Sequence, residues 1–415
     1  MNPRSLAVLA AMVIAPAAAH AQEAAAPATP TPTPAAAPAR DLAADVDSVG
    51  GKVDAVTEKV AELETSVAGL KKLKFSGYVQ GRWAWLEGAR YEPKCAAATC
   101  TADELKAYAP PDKDNFYIRR GRFKTTYTGD VAQAVLQMDV VPSGVSIKEG
   151  YVSVNLPAGL AVDTGLQLFP FGYEVGQRSS ADLDLLERSQ VTGKLLKGEY
   201  DLGVALRGAS GPVNFKVGLF NGNGIDGGKG KDNDQLKDVI GRVGFDLGTV
   251  TGGLSGWYGK TIDYTSTANT EYDRVRAAAD LQVYLDLLPI GGTALKGEYI
   301  WGKTAIGTGA AGAGDKLGKT MSGYYLLASQ NVGKTYQVDV RWDSFIADHG
   351  IDHDAASNAA KVFQTNELSA AVHAFVGEAY KLSLAYYHPM NGTKGPTAPS
   401  DPKSDSVVAQ AQVKF

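Results

Sequence analysis

The chain has 415 residues and a formal net charge of −4, with 41 Lys and Arg against 45 Asp and Glu, which argues against nucleic acid as a partner. Beyond residue 19 there is no run of about 18 apolar residues, which excludes a transmembrane helix. The mean hydropathy of −0.14 still allows membrane-spanning β-strands, because each needs only about 9–11 residues that alternate apolar and polar.

The first 21 residues have the pattern of a secretory signal peptide. Arg4 supplies positive charge, residues 6–19 are apolar but too few to span a bilayer, and Ala19-His20-Ala21 is a small-x-small cleavage site. A short buried helix is the alternative. Residues 22–40 consist mainly of Ala, Pro and Thr, so they cannot form a core and predict an extended linker.

Residues 41–73 carry a heptad repeat. Apolar residues recur at alternating intervals of four and three, which keeps one stripe of a helix facing a partner helix. The stripe consists of Leu42, Val46, Val49, Val53, Val56, Val60, Leu63, Val67 and Leu70. Position a is valine throughout and position d mixes valine with leucine. Because β-branched residues at both core positions favour three strands, we predict a short, periplasmic, trimeric coiled coil. A single amphipathic helix lying on another part of the protein is the alternative.

From residue 74 to the C-terminus the period changes to two, as in half-buried strands. Sixteen strands are predicted, near 74–87, 115–128, 131–141, 146–156, 160–169, 200–208, 213–221, 236–247, 250–260, 271–286, 293–302, 320–330, 334–345, 364–376, 379–388 and 405–415. Short turns alternate with long polar connections, as in outer-membrane barrels. The fold class is therefore all-β, a transmembrane antiparallel barrel at 74–415 that is wide enough for an aqueous channel.

Aromatic residues near the predicted strand ends indicate an interfacial girdle. They are Trp83, Trp85, Tyr127, Trp257, Tyr258, Trp301, Trp342, Tyr386 and Tyr387. Two cysteines, Cys95 and Cys100, fall in one polar connection and predict a small loop disulfide in an oxidising compartment. They are too few for a metal site, and we predict neither a metal nor a cofactor.

The polar faces of the strands predict the lining of the pore. Selectivity is assigned to nine inward cations: Arg82, Arg120, Arg122, Lys124, Arg207, Lys216, Arg242, Arg274 and Arg276. Such an excess of positive charge favours anions, because low-dielectric walls focus the field of fixed charges. The alternative is that these arginines pair with carboxylates and stiffen the barrel. The same alternation places Arg119 and Lys148 on the outward face, so either they lie beyond the hydrocarbon zone or the predicted register is locally wrong.

Several stretches resemble the phosphate-selective porin O and P family over about four-fifths of the chain. They are Phe75-Ser76-Gly77-Tyr78-Val79-Gln80, Phe116-Tyr117-Ile118-Arg119-Arg120-Gly121-Arg122-Phe123, and the segment 165–174 with Phe169-Pro170-Phe171-Gly172. The resemblance implies a trimer of sixteen-stranded barrels, each with its third long loop folded into the lumen. That constriction loop contains Phe171, Glu174, Arg178, Asp182, Asp184, Glu187 and Arg188. Leu168 stands where family members often carry a lysine.

These observations predict an outer-membrane porin of a Gram-negative bacterium, with its N-terminal arm in the periplasm. Its solutes would be small anions such as phosphate, and its partners outer-membrane lipids, two further copies of the chain and, through the arm, the cell wall. The loop carboxylates could be read as a catalytic pair, but no pocket or nucleophile motif accompanies them, so we do not expect an enzyme. The alternative function is a structural anchor that tethers the envelope through the arm and coiled coil.

Overall fold

The computed structural model describes residues 42–87, 114–196, 199–222, 224–225, 235–263, 270–304, 319–350, 362–398 and 404–415. The predicted signal peptide, the linker and the disulfide between Cys95 and Cys100 lie outside these residues. The chain divides into two compact units between Ser66 and Val67. No helix of the described residues is both long and apolar enough to cross a bilayer.

A single helix, α1 (Leu42–Lys71), covers the heptad repeat. The side chains of Val46, Val53 and Val60 on the heptad stripe are exposed. The N-terminal helix is therefore confirmed, whereas its assembly into a coiled coil stays a prediction.

Sixteen strands follow the helix, and the constriction loop adds a short second helix, α2 (Gln190–Leu195). The strands are β1 (Leu73–Leu86), β2 (Asp114–Thr128), β3 (Ala132–Val141), β4 (Gly144–Asn155), β5 (Leu160–Leu168), β6 (Tyr200–Ser210), β7 (Val213–Phe220), β8 (Asp238–Asp246), β9 (Val250–Asp263), β10 (Thr270–Leu288), β11 (Gly291–Thr304), β12 (Lys319–Val332), β13 (Tyr336–Ile346), β14 (Gln364–Val376), β15 (Tyr380–Asn391) and β16 (Ser406–Lys414). Every predicted strand is present, with its ends within three residues of the prediction.

The sheet closes on itself. Each strand pairs antiparallel with its neighbours in the chain, and β1 pairs with β16. The closure ends at the C-terminal residue, where Gly77 N donates to Phe415 O at 2.8 Å and Phe415 N donates to Gly77 O at 3.0 Å. A closed sheet has no unpaired edge, which is what a bilayer requires of a β-structure.

The outer face of the barrel is apolar and the inner face is mixed. On β8, Val239 and Val243 are exposed while Ile240 and Arg242 between them are buried in the lumen. Tyr127, Tyr258 and Tyr386 are exposed, as a girdle requires. The prediction is wrong for Trp257 and Tyr387, which are buried among apolar residues of the lumen.

Candidate functional site

The connection between β5 and β6 folds into the barrel, and we call residues 169–199 the constriction loop. Its side chains and backbone bond to the inner wall at widely separated strands. Ser180 Oγ lies 2.8 Å from Tyr78 Oη on β1, and Lys296 Nζ on β11 donates to Asp184 at 2.7 Å. Lys414 on β16 donates to Asp182 at 2.6 Å. The loop therefore crosses the lumen.

One face of the loop is held by a closely packed apolar core. Phe169, Phe171, Val191, Leu195 and Leu196 are almost fully buried against one side of the wall. The wall residues of this core come from eight consecutive strands, β6 to β13: Ala205, Phe220, Ile240, Trp257, Ala278, Ile300, Met321 and Phe345. Burying one such large side chain stabilises by about 1.5–3 kcal/mol, so this core fixes the loop to one side of the lumen.

A second apolar cluster holds the middle of the loop. Leu185 and Leu186 pack against Tyr325, Ala371, Ala385, Tyr387 and Val408 of the wall. Both clusters depend on inward apolar residues in a lumen whose strands otherwise carry polar side chains. The loop is thus attached along the part of the wall that runs from β6 through β16.

Polar contacts fix the loop where it enters the lumen. Both oxygens of the Glu298 carboxylate accept backbone N–H groups, from Tyr173 at 2.9 Å and from Glu174 at 3.2 Å. Glu174 in turn accepts from the backbone and the hydroxyl of Ser189, at 2.8 and 2.7 Å. Gly172 adopts a φ of +70° here, and a Cβ on it would lie 2.2 Å from Glu298 Oε1.

Six of the nine predicted pore-lining cations are arginines that face inward and are buried. Arg120 and Arg122 line a cavity described below, and the other four are held by the wall and the loop. Arg242 forms an ion pair with Asp280, and Arg274 one with Asp238. Arg276 stacks on Trp257 with its guanidinium 4.1 Å from the ring centroid. Arg82 binds the loop through Leu186 O and Glu187. These arginines therefore brace the barrel and its loop, as the alternative interpretation expects, and their part in selectivity stays a prediction.

The remaining predicted cations, Arg120, Arg122, Lys124, Arg207 and Lys216, lie on the inner face of β2, β6 and β7. A cavity of about 300 Å³ separates the loop from this wall. Its charged lining residues are Arg119, Arg120, Arg122, Asp139, Lys148, Arg188 and Glu199. Tyr200 completes the lining and accepts from Arg122 Nη1 at 2.6 Å.

Two β-bulges turn the residues that alternation places outside towards this cavity. Gln80 pairs with Arg120 and Gly81 with Ile118, so Arg119 is the extra residue on β2. Likewise Gln137 pairs with Glu149 and Met138 with Ile147, which leaves Lys148 as the extra residue on β4. A bulge re-aims a side chain and reverses the alternation of the residues beyond it, so Ile118 and Ile147 are exposed although their parity matches that of Arg120 and Glu149. Of the two explanations that the sequence leaves open for these residues, the local error in register is therefore the correct one.

The positive surface continues towards the end of the barrel that carries the short turns. Lys124 pairs with Glu149 at 2.6 Å, while Arg207 and Lys216 share Asp163 at 3.2 and 3.0 Å. The side chains of these three cations are 26–46 % exposed, in contrast with the buried arginines above. They lie where water and solutes reach them.

We call the inward cations of β2 to β7 the basic wall: Arg119, Arg120, Arg122, Lys124, Lys148, Arg207 and Lys216. The inward carboxylates of the same strands are Asp139, Glu149, Asp163 and Asp201. Asp201 accepts a hydrogen bond from the backbone N–H of Gly222, so one of its oxygens already has a partner other than the cations of the basic wall. Seven cations against four carboxylates leave this side of the lumen positive.

Most charged side chains of the constriction loop form ion pairs, either with the barrel wall or within the loop. Asp182 pairs with Lys414, Arg188 pairs with Glu199 at 2.7 Å, and Arg178 lies 3.6 Å from Asp184. Glu187 accepts from Arg82 and Arg119. Among the described residues no group of three or more His, Cys, Asp and Glu side chains is arranged to hold a metal ion.

The pKa of Glu187, which belongs to the loop, is displaced by this environment. Burial disfavours the charged carboxylate, but the hydrogen bond and charge of Arg119, together with the charges of Arg82 and Arg120, outweigh it. The pKa falls from 4.5 to about 2. Glu187 therefore remains an anion at any ordinary pH.

Solved structures of known proteins share this barrel. The outer membrane channel DcaP of Acinetobacter baumannii matches with a TM-score of 0.58 at 12% identity, over 83% of this chain and 97% of that one. The anion-selective porin of Comamonas acidovorans matches with a TM-score of 0.56 at 15% identity, over 83% and 99%. The fold is that of an outer-membrane porin.

A loop-deletion mutant of OmpT from Vibrio cholerae also has this porin fold, with a TM-score of 0.52 at 11% identity over 83% of this chain and 99% of that one. At such identities the likeness extends to the fold alone. No protein-family model matches the chain, and neither does any curated protein. The resemblance to phosphate-selective porins therefore stays a prediction.

Proposed function

We propose that this chain is exported to the outer membrane and forms a water-filled channel for the passive diffusion of small anionic solutes. The observation that carries the proposal is the basic wall, an excess of cations on the inner face of strands β2 to β7 beside the cavity that the constriction loop leaves open. An excess of fixed cations beside a low-dielectric wall raises the local concentration of anions. Rings of Arg and Lys are the usual means by which pores select anions.

Some of the inward cations are buried in ion pairs and others are hydrated, and this difference supports anion passage along the basic wall. Arg242 and Arg274 are buried in ion pairs and cannot contribute much field to the solution. Lys124, Arg207 and Lys216 are hydrated and within reach of a passing solute. Phosphate is included among the solutes because a guanidinium donates two parallel hydrogen bonds to such oxyanions.

The zero-current potential of the purified protein in a planar bilayer under a KCl gradient tests this proposal. We expect preference for chloride, and loss of most of it when Arg120, Arg122 and Lys124 are replaced by glutamine. The matched control is Lys260→Gln, because Lys260 pairs with Glu271 away from the basic wall. A cation preference of the wild-type channel would reject the proposal.

A second function, envelope anchoring, is favoured by the exposed heptad stripe of α1. We propose that this stripe joins three copies of the chain in a periplasmic coiled coil, in agreement with β-branched residues at both its a and its d positions. We also propose that residues 1–21 act as an export signal, that residues 22–40 form an extended linker and that Cys95 and Cys100 form a loop disulfide. We propose no enzymatic activity. Deleting residues 22–73 should loosen envelope attachment and leave conductance unchanged. Unchanged attachment would exclude the anchor.

A further inference from the structure

Three arginines of the barrel wall converge on one carboxylate of the constriction loop. Arg119 donates to Glu187 from Nε at 2.8 Å and from Nη2 at 3.1 Å, one bond to each oxygen. Arg82 donates to the same carboxylate, and Arg120 Nη2 lies 4.0 Å from it. The fork of Arg119 is the geometry in which guanidinium binds a free carboxylate or phosphate.

One carboxylate neutralises only part of this positive charge. The adjacent cations Arg122 and Arg188 have their own partners, Asp139 at 3.6 Å and Glu199 at 2.7 Å. Lys148, which lines the same cavity, forms no ion pair with any residue that the structure describes. The three arginines, Lys148 and Glu187 together therefore carry a net positive charge that a second anion would offset.

The cluster does not depend on Glu187 to stay in place. Arg82 Nε donates to Gln410 at 2.6 Å, and Arg120 donates to Gln80 at 3.1 Å, so both guanidinium groups are fixed by neutral side chains of the wall. Glu187 and Arg119 are the exposed members, with 40% and 36% of their side chains accessible. A solute in the cavity can therefore compete with Glu187 at Arg119.

We propose that Arg82, Arg119 and Arg120 form a binding site for a small oxyanion, a carboxylate or a phosphate, and that Glu187 is a tethered competitor for it. The inference rests on the proposed function, because it names the solute class of that channel. A conducting site must attract its solute and also release it. Glu187 provides the release, because its carboxylate returns to the arginines as the solute leaves.

Isothermal titration of the purified full-length protein in detergent with inorganic phosphate, and separately with acetate, tests the site. We expect Glu187→Gln to lower the Kd for the anion by on the order of tenfold, since it removes a charged competitor. Asp182→Asn is the matched control: it removes one carboxylate of similar exposure from the same loop, but among the residues that the structure describes that carboxylate forms an ion pair only with Lys414. It should leave the Kd unchanged.

Two further variants decide between a specific site and a general gain in charge. Arg119→Gln added to Glu187→Gln should reverse the gain in affinity, and Glu187→Asp should give an intermediate Kd. Equal affinities of the Glu187→Gln and Asp182→Asn proteins would overturn the inference, as would a gain that survives the loss of Arg119. A protein that binds phosphate this way and does not conduct would reject the channel while keeping the site, whereas an anion-selective channel without the gain would do the reverse.

Discussion

Gly172 allows the constriction loop to turn into the lumen. Its φ of +70° costs an L-residue about 1–2 kcal/mol, and a Cβ would lie 2.2 Å from the Glu298 oxygen that holds the loop backbone. We expect Gly172→Ala to lower the unfolding temperature and to raise current noise in single-channel recordings, because the Glu298 contacts must separate.

Gly193→Ala is the control for Gly172→Ala. Gly193 lies in α2 of the same loop, with nothing within 4 Å of a built Cβ and no positive φ. Alanine is about 1 kcal/mol better than glycine inside a helix, so this variant should be neutral or slightly more stable. If the two variants unfold alike, the strain and the Glu298 contact have no effect on stability.

The ionisation of Glu187 has a consequence for selectivity at low pH. A carboxyl whose pKa is lowered on folding stabilises the fold above the unfolded value near 4.5, and that stabilisation is lost as the pH falls through about 2. We expect the difference in anion selectivity between wild type and Glu187→Gln to stay constant from pH 7 to pH 4. Zero-current potentials at each pH measure it. Convergence of the two proteins already at pH 4–5 would mean that the arginines do not hold the carboxylate.

At this scale the sequence predicts residues that obey strict alternation and misses those at bulges. Arg120, Arg122 and Lys124 are placed inward by their spacing of two, as found. Arg119 and Lys148 are misplaced because one extra residue reverses the facing of a side chain. The Arg119-Arg120 pair contained a usable signal, since a charged residue on the lipid face costs about 2–4 kcal/mol at the bilayer midplane.

The constriction loop is an element with its own apolar core, and this core is where the free energy of its placement is concentrated. Phe171→Ala should cost about 3–5 kcal/mol, because the side chain is fully buried against Trp257 and its neighbours. Equilibrium unfolding in denaturant measures the cost. A loosened loop should also widen the distribution of single-channel conductances.

Phe116→Ala makes the matched comparison for the loop core. It is the same substitution on β2, at a side chain that is 80% exposed. We expect a change of well under 1 kcal/mol, in line with surface substitutions away from packed groups. A similar loss in both variants would show that the loop core does not set the stability.

The strands and the loop differ in how far sequence alone predicts them. Each strand is predicted from its own stretch of sequence, because apolar and polar residues alternate there with a period of two and turn residues bound the stretch. All sixteen strands are therefore predicted. The inward course of the loop came from a family resemblance. Its packing could not be predicted, because the wall side of the core draws single residues from eight strands that only closure of the barrel brings together.

For the whole molecule, net charge is a poor guide to the field inside the lumen. The chain is acidic overall, yet seven cations face four carboxylates on the inner face of β2 to β7. Of the nine inward cations predicted to set selectivity, Lys124, Arg207 and Lys216 are hydrated and the six arginines at the other positions are buried. We therefore expect the distribution of charge, and its access to water, to determine the preference of the proposed channel.

Closure of the barrel depends on one glycine at the seam between β1 and β16. A Cβ at Gly77 would lie 2.2 Å from the backbone oxygen of Arg122 and 2.7 Å from the ring of Phe415. Neither contact can be relieved by rotating a flexible side chain alone, because the first is backbone. Gly77→Ala should therefore lower the yield of closed barrel, measured as the fraction of heat-modifiable species on gels of unboiled samples.

Gly81→Ala provides the control for the seam, four residues further along the same strand. Nothing lies within 4 Å of a Cβ built on Gly81, so this variant should assemble like the wild type. Gly77 also exchanges both of its backbone hydrogen bonds with the last residue of the chain, so a displaced Phe415 removes the final rung of the closing ladder. Equal assembly of Gly77→Ala and Gly81→Ala would mean that moving the strands apart at the seam costs less free energy than the backbone contact implies. Closure would then be determined by the remaining β1–β16 pairs.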